Sequence, residues 1–317
     1  MTSELTTSAV DEQSTRDVEG PITMALSVVI PAYNEEDTIG TCLELLVEQS
    51  DHIAEVIVVD NNSTDRTRAI VDDWRARCPR IRIVDESMQG LVYARNSGMD
   101  AAVGDVIARI DADTRIPQGW ARAIVEFFES DADGRWSALC GRGAAYGLPC
   151  EGAMSRLRRR LDPVLVHLRR PARDGSATEP RESPVLYGSN MVVRREVWEV
   201  IRTRVSMRRD IFEDVDMGLC VQDIGGRNAF LASLTVGVSP RRMETGVLAF
   251  VQYMSFLPRT LLLHRRYALA AVTAVGYLPP VIVVHAGRLV LIRAHDAETG
   301  TFSIRNVWRS TTQRGLP

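Results

Sequence analysis

The chain contains no lysine: all 38 of its basic residues are arginine, against 41 acidic residues, for a formal net charge of -3 over 317 residues. Guanidinium groups suit phosphate recognition, but codon bias explains uniform arginine usage equally well, and no function is drawn from it. A balance this near zero gives no whole-chain case for nucleic acid or an acidic polymer as partner. Cysteine is also scarce. Cys42, Cys78, Cys140, Cys150 and Cys220 are scattered, odd in number and without Cys-x-x-Cys spacing. Neither a zinc site nor a disulfide framework is suggested, and a reducing, cytoplasmic compartment is expected. Residues 1–23 lack an apolar run, so they do not read as a signal peptide; a disordered polar tail is expected there. No internal repeat is evident. The remaining composition, 45% hydrophobic and 25% charged, is that of a soluble globular protein of one or two domains.

What the sequence does hold is an alternation of short apolar runs and helical patterns. Leu26–Ile30, Glu55–Asp60, Arg80–Val84 and Val106–Ile110 read as buried strands. Pro31 to Glu36 breaks the first, and a helix follows over Asp37–Glu48. Ser63 or Thr64 is placed to cap a second helix running through Trp74. Met88–Ala102 carries a turn at Gly90 and then a third helix. This spacing predicts a mainly parallel sheet flanked by helices on both faces. Beyond it, Trp136–Tyr146 and Val185–Val193 read as strands, and Met154–Leu168 as a basic helix. Arg169–Ser183 reads as a mobile loop and candidate lid, Arg195–Ile201 as a short helix, and the segment from Arg208 opens another.

The stretch Gly104 to Thr114 concentrates the chemistry. Val106–Ile110 ends abruptly in Asp111-Ala112-Asp113. Positions i and i+2 of a strand point the same way, so two carboxylates can face one cleft at the strand's C-terminal end, where parallel sheets bind ligands. Converging carboxylates repel unless a cation or proton lies between them, and a hard divalent ion with oxygen ligands resolves that. The plain alternative is a solvated acidic turn before the helix that starts near Pro117.

The runs VVIPAYNEE (28–36), VVDNNSTD (58–65), GLVYARNSG (90–98), DVIARIDADT (105–114) and FEDVDM (212–217) stand in an order and spacing that resembles a family 2 glycosyltransferase of the GT-A fold, over roughly residues 26 to 240. The resemblance implies a nucleoside-diphosphate sugar, UDP- or GDP-linked, as donor, and an acceptor hydroxyl on a glycan, lipid or small molecule. It places Pro31, Ala32, Tyr33 and Glu35 around base and ribose, with Asp60 accepting from the base; alone, Asp60 could equally be a helix cap. Gly90 would let backbone approach the donor. Arg95 would meet phosphate or sugar, or else form a helix-surface salt bridge. Asp113 would hold Mn2+ or Mg2+ bridging the diphosphate, with Asp111 on ribose or metal. Of the acidic pair, Asp214 would be the general base of an inverting transfer, with Glu213 or Asp216 orienting the acceptor; acids in a first helical turn also complement its dipole. Many relatives carry a metal-binding His on the strand after this helix; here Ser239 stands in that neighbourhood. Arg241 and Arg242 are candidates for diphosphate or a phosphorylated acceptor, or are a solvated pair.

The expected organisation is a tail (1–23), a GT-A domain (24–245) and an apolar helical C-terminal extension (246–317). Ala268–Gly287 has no formal charge, which approaches the ~20 residues needed to span a bilayer, but Pro279 and Pro280 interrupt it. Three readings stay open: a helix on the cytoplasmic face of a membrane, a helix docked on the domain, or a true span. His264, Arg265 and Arg266 before it, with Arg288 and Arg293 after, could snorkel to headgroups. The rival functions are a nucleotidyltransferase on a similar sheet, and a catalytically degenerate, membrane-bound partner subunit.

Overall fold

A computed structural model describes residues 24–146, 179–239 and 246–294, with side chains to Val290. The expected tail, the basic helix, most of the 169–183 loop, Cys150, Arg241, Arg242 and residues 295–317 lie outside the described residues.

Eight strands form one sheet in the order β3-β2-β1-β4-β7-β5-β8-β6. They are β1 (Leu26–Ala32), β2 (Glu55–Asp60), β3 (Ile81–Asp85), β4 (Val106–Arg109), β5 (Ala138–Ala145), β6 (Arg181–Glu182), β7 (Met191–Arg194) and β8 (Asn228–Val238). The first four pair in parallel, and β1, β2 and β4 are buried on both faces, as strands of a covered parallel sheet are. β7 then enters antiparallel between β4 and β5, β8 lies parallel to β5, and the short β6 closes the far edge antiparallel. The sheet is therefore mixed, though mostly parallel.

Alternate residues of each strand feed two cores. Val28, Ile30, Val58 and Ala108 pack with helices α1 (Ile39–Val47) and α4 (Trp120–Ser130). Val29, Ile57, Val59 and Ile107 pack on the other face with α3 (Leu91–Ala101), α5 (Arg195–Ile201) and α6 (Glu213–Asp223). This is the three-layer α/β architecture that the strand–helix alternation predicts.

The local differences have physical causes. β1 does not stop at Ile30 but runs through Pro31 to Ala32. Its pairing with β4 ends at Val29, so the missing N–H of Pro31 leaves no ladder position empty on that side. Helix α2 (Thr67–Arg77) starts later than the Ser63/Thr64 cap would have it, with Asp65 Oδ1 accepting from Thr67 N at 2.9 Å; Ser63 and Thr64 bond to Asn34 instead. Residues 185–190 are not strand. Asn190 N donates to Tyr187 O at 3.0 Å, closing a turn around Gly188.

The C-terminal segment docks on the domain and is also exposed. Helices α7 (Val247–Met254) and α8 (Phe256–Leu263) lead into an unbroken helical stretch, Tyr267–Val290. Leu261 and Ala270 bury against Val215 and Leu219 of α6, with Phe212 and Leu257 packed at the margin. Phe250 and His285 stack at 3.7 Å. Elsewhere the segment shows apolar side chains to the outside: Leu248 is 86% exposed and Val275 79%. By length and composition, 267–290 can cross a membrane, and little of it is buried. His264 and Arg266 are both tied to α6 at Asp223. Deleting 246–317 uncovers Phe212, Val215 and Leu219, so the truncated domain is expected to aggregate when purified. A soluble, monomeric truncation on size-exclusion chromatography, with unchanged melting, would show that the docking contributes little.

Candidate active site

The C-terminal ends of β1, β2 and β3 lie side by side in register. Ala32 lies opposite Asp60, and Asp60 opposite Asp85. The loops after β1 and β2 are stitched together: Asn34 N donates to Ser63 Oγ (3.2 Å), Glu35 N to Thr67 Oγ1 (2.8 Å), and Thr64 N to Asn34 Oδ1 (2.8 Å). Glu36 Oε2 accepts from Arg66 N at 3.0 Å. Pro31 and Ala32 are buried in the strand, whereas Tyr33 is exposed and Glu35 Oε2 accepts from Thr38 Oγ1 at 2.8 Å. Asp60 Oδ1 accepts from Ser63 N at 3.1 Å, and Oδ2 lies 3.7 Å from Arg68 Nη1. Asp60 thus shapes the turn after β2 and does not cap α2.

Asn61, which the sequence reading passed over, is buried and organises the next loop. Its Nδ2 donates to Glu86 O (2.9 Å) and Met88 O (2.8 Å), and its Oδ1 accepts from Gly90 N (2.8 Å). Gly90 has φ 146, and the guanidinium of Arg209 occupies the place a Cβ would take. Asn61→Ala strands these groups, and an unsatisfied buried partner costs about 1–3 kcal/mol. A loss in that range is expected in urea unfolding; an unchanged midpoint would show that the loop holds itself.

At the end of β4 the chain makes a tight turn. Thr114 N donates to Asp111 O (2.9 Å) and Asp111 N to Thr114 Oγ1 (3.2 Å), with Ala112 buried between the two carboxylate-bearing residues. Tyr146 OH donates to Asp113 O at 2.7 Å. The buried Cys42 thiol is pushed up to about 12, first by burial and then by the charges of Asp113 and Asp111. Two carboxylates this close in one turn fit a hard divalent cation. The end of β8 lies alongside, since Tyr146 N donates to Val238 O at 3.1 Å and Arg115 bridges Gly237; Ser239 follows directly.

Across the crevice, α6 begins with Glu213 and Asp214. Arg95 is no surface residue. Only 2% exposed, it bonds Asp111 Oδ1 at 2.6 Å through Nη2 and Glu213 Oε1 through Nη1. A second buried cation, Arg109, was visible in the sequence only as an interruption of β4. Its Nη2 is 3.6 Å from Glu213 Oε1 and its Nε donates to Gly188 O at 3.4 Å. Burial first, and then the charge of Arg95, pull its pKa down to about 9. Gly188 N in turn donates to Asp214 Oδ2 at 2.8 Å, and Val215 N to Asp214 Oδ1 at 2.9 Å. A Cβ on residue 188 would lie 2.8 Å from Arg109 Nη2, which is why the turn carries glycine. A continuous chain of contacts, Asp111–Arg95–Glu213–Arg109–Gly188–Asp214, therefore links the two sides of the cleft. Asp216 faces away, toward His264. Among the described residues, the cluster of three potential metal-ligating side chains is Asp216, Cys220 and His264, not the Asp111 turn.

Residues 27–202 match the profile of glycosyl transferase family 2. The chain belongs to glycosyl transferase family 2. A glycosyltransferase of Escherichia coli (strain K12) is 33% identical over 112 residues, which is 35% of this chain and 33% of that protein. The chain thus matches about a third of the length of several curated glycosyltransferases it resembles in sequence. Two solved structures share the fold. A mannosyltransferase from Pyrobaculum calidifontis, in complex with GDP-Man and Mn2+, has TM-score 0.52 at 20% identity, covering 86% of this chain and 82% of the other. S. aureus TarS in complex with UDP-GlcNAc has TM-score 0.54 at 16% identity, covering 86% and 80%. The architecture above is accordingly the GT-A glycosyltransferase fold.

Proposed function

We propose that the protein transfers a sugar from a UDP- or GDP-linked donor to an acceptor hydroxyl with inversion, in a single displacement. The observation that carries this reading is the chain of contacts that sets Asp214 across one crevice from the Asp111–Asp113 turn. In the proposed step Asp214 takes the acceptor proton. The acceptor oxygen bonds to the anomeric carbon as the bond from that carbon to the diphosphate breaks, and the nucleoside diphosphate leaves. Glu213, gripped by Arg95 and Arg109, orients the acceptor side and does not take the proton. Arg95 holds Asp111 from beneath the cleft. Tyr33, Glu35 and Asp60 line the base and ribose, with Pro31, Ala32 and Gly90 contributing backbone. Asp113 and Asp111 would hold Mn2+ or Mg2+, which would supply charge neutralisation on the departing diphosphate. Arg241 and Arg242 are assigned to the same diphosphate or to a phosphorylated acceptor.

We further assign the exposed apolar C-terminal helices to the cytoplasmic face of a membrane. A stretch of 24 helical residues that is mostly exposed, uncharged from Ala268 to Gly287 and flanked by arginines suits lipid better than water. Family membership favours the transferase over a nucleotidyltransferase, and the complete carboxylate set argues against a degenerate subunit.

The test is a thermal-shift screen of UDP- and GDP-sugars with Mn2+ and with chelator. Only a ligand of the folded state raises melting, by an amount that grows with its concentration over Kd. A metal-dependent rise with one donor family is expected. No rise with any nucleotide sugar, alongside a rise with nucleoside triphosphates, would overturn the reading.

A further inference from the structure

The C-terminal segment touches α6 at polar anchors that membrane attachment does not require. Thr260, fully buried, accepts through Oγ1 the N–H of Phe212 at 2.9 Å. Phe212 immediately precedes Glu213 and Asp214, and its N–H has no partner within the helix it starts. Four residues on, His264 sits between two carboxylates of α6. Its Nε2 is 2.8 Å from Asp216 Oδ1 and its Nδ1 2.9 Å from Asp223 Oδ2. Asp216 and Asp223 are seven residues apart, two turns along one face. Asp216 is almost fully buried, and its other oxygen accepts from Ser206 N at 2.8 Å. One contact therefore pins the start of α6, and two pin its face.

Such pins fix two freedoms of a helix: its slide along its axis and its rotation about it. Asp214 projects from the first turn of this helix, so both freedoms move its carboxylate relative to Gly188 and the Asp111 turn. Catalytic groups are sensitive to displacements of this kind, and a misplacement of about 1 Å can cost ~10²-fold in rate. We propose that Thr260 and His264 are positioning residues that aim the Asp214 carboxylate, so that the apolar C-terminal segment is a working part of the acceptor side as well as an attachment. This rests on the assignment of Asp214 as base. It goes further in making the segment that faces the membrane set the geometry at the reacting hydroxyl.

The full-length protein tests it with three variants. Thr260→Val is isosteric and removes only the hydroxyl; Thr260→Ser keeps the hydroxyl and removes a methyl; His264→Gln keeps one hydrogen-bonding arm. Turnover is followed as release of nucleoside diphosphate, and donor affinity as calorimetric binding of UDP or GDP with Mn2+. Thr260→Val and His264→Gln are expected to lower kcat about 10-fold, while the nucleotide Kd stays within about 3-fold and Thr260→Ser retains most of the activity. Hydrogen exchange at the amides of residues 212–216 should rise in Thr260→Val, a readout independent of any acceptor. Unchanged kcat in both impaired variants, with Asp214→Asn inactive, overturns this inference and leaves the base intact. An active Asp214→Asn removes the base assignment instead. Parallel loss of nucleotide binding, or equal damage from Thr260→Ser, would reduce the anchors to ordinary packing. One equivalent of tightly bound zinc, absent from His264→Gln, would replace the hydrogen-bond account with a metal staple of Asp216, Cys220 and His264.

Discussion

Asp113→Ala is expected to abolish metal-dependent nucleotide binding. The two carboxylates of the β4 turn are not equivalent. Asp111 Oδ1 is already paired with the buried guanidinium of Arg95 at 2.6 Å, so a positive charge sits permanently against it and competes with any cation. Asp113 has its backbone carbonyl held by Tyr146 OH, which fixes the turn. Since Arg95 competes at Asp111, Asp113 is the carboxylate on which a cation would depend more. Loss of residues that only support a metal's ligands costs 10–100-fold in affinity, and loss of a ligand should cost at least the upper end of that range. Calorimetry with UDP or GDP, with and without Mn2+, checks it: wild type should show a large metal increment and Asp113→Ala none. The fold should hold, because the residue is partly exposed and the turn is closed by Thr114. An undiminished metal increment would move the cation away from this turn.

The parts of this site that could be read in the sequence were those written in local patterns. Apolar runs rich in Val and Ile announced β1, β2 and β4, and a strand ending in Asp-x-Asp announced where the site would be, because side-chain direction in a strand follows from period alone. What could not be read depended on contacts distant in sequence. Arg109 looked like a flaw in β4, yet it is the cation that meets Glu213, 104 positions later, and Gly188, 79 positions later. A charge within an otherwise buried strand, next to an acidic turn, was the available signal. Arg95 reads as a ligand contact or a surface pair, and the structure replaces the surface pair with a buried cation held by two partners that no local pattern connects. Gly188 carries no periodic signal, since its role is set by space left over Arg109. The swap of β7 into the middle of the sheet was invisible for a similar reason, because strand order is decided by which edges remain to be paired.

Asp214→Asn is expected to remove turnover while sparing the donor site. Two backbone amides, Gly188 N at 2.8 Å and Val215 N at 2.9 Å, donate to the two oxygens of Asp214. That arrangement holds the side chain in a single orientation at the start of α6. An amide of the same size keeps one acceptor oxygen for these donors but turns an NH2 toward the other, and it takes no proton at neutral pH. Loss of a positioned general base costs ~10²–10⁴-fold in rate, and the same magnitude is expected in kcat here. Nucleotide and metal are assigned to Tyr33, Glu35, Asp60, Asp111 and Asp113, so the Kd for UDP or GDP with Mn2+ should stay within a few-fold of wild type. The chain of contacts through Arg95 makes this a demanding requirement. Glu213 is shared by Arg95 and Arg109, and a disturbance at 214 that travelled through Gly188 and Arg109 would reach Asp111 and weaken metal binding as well. The ratio of the two losses therefore separates chemistry from geometry. A collapse of kcat with intact nucleotide affinity identifies Asp214 as the proton acceptor. Parallel losses of both would place Asp214 in the scaffold of the metal site. A variant that keeps most of its transfer rate would assign the proton to another group.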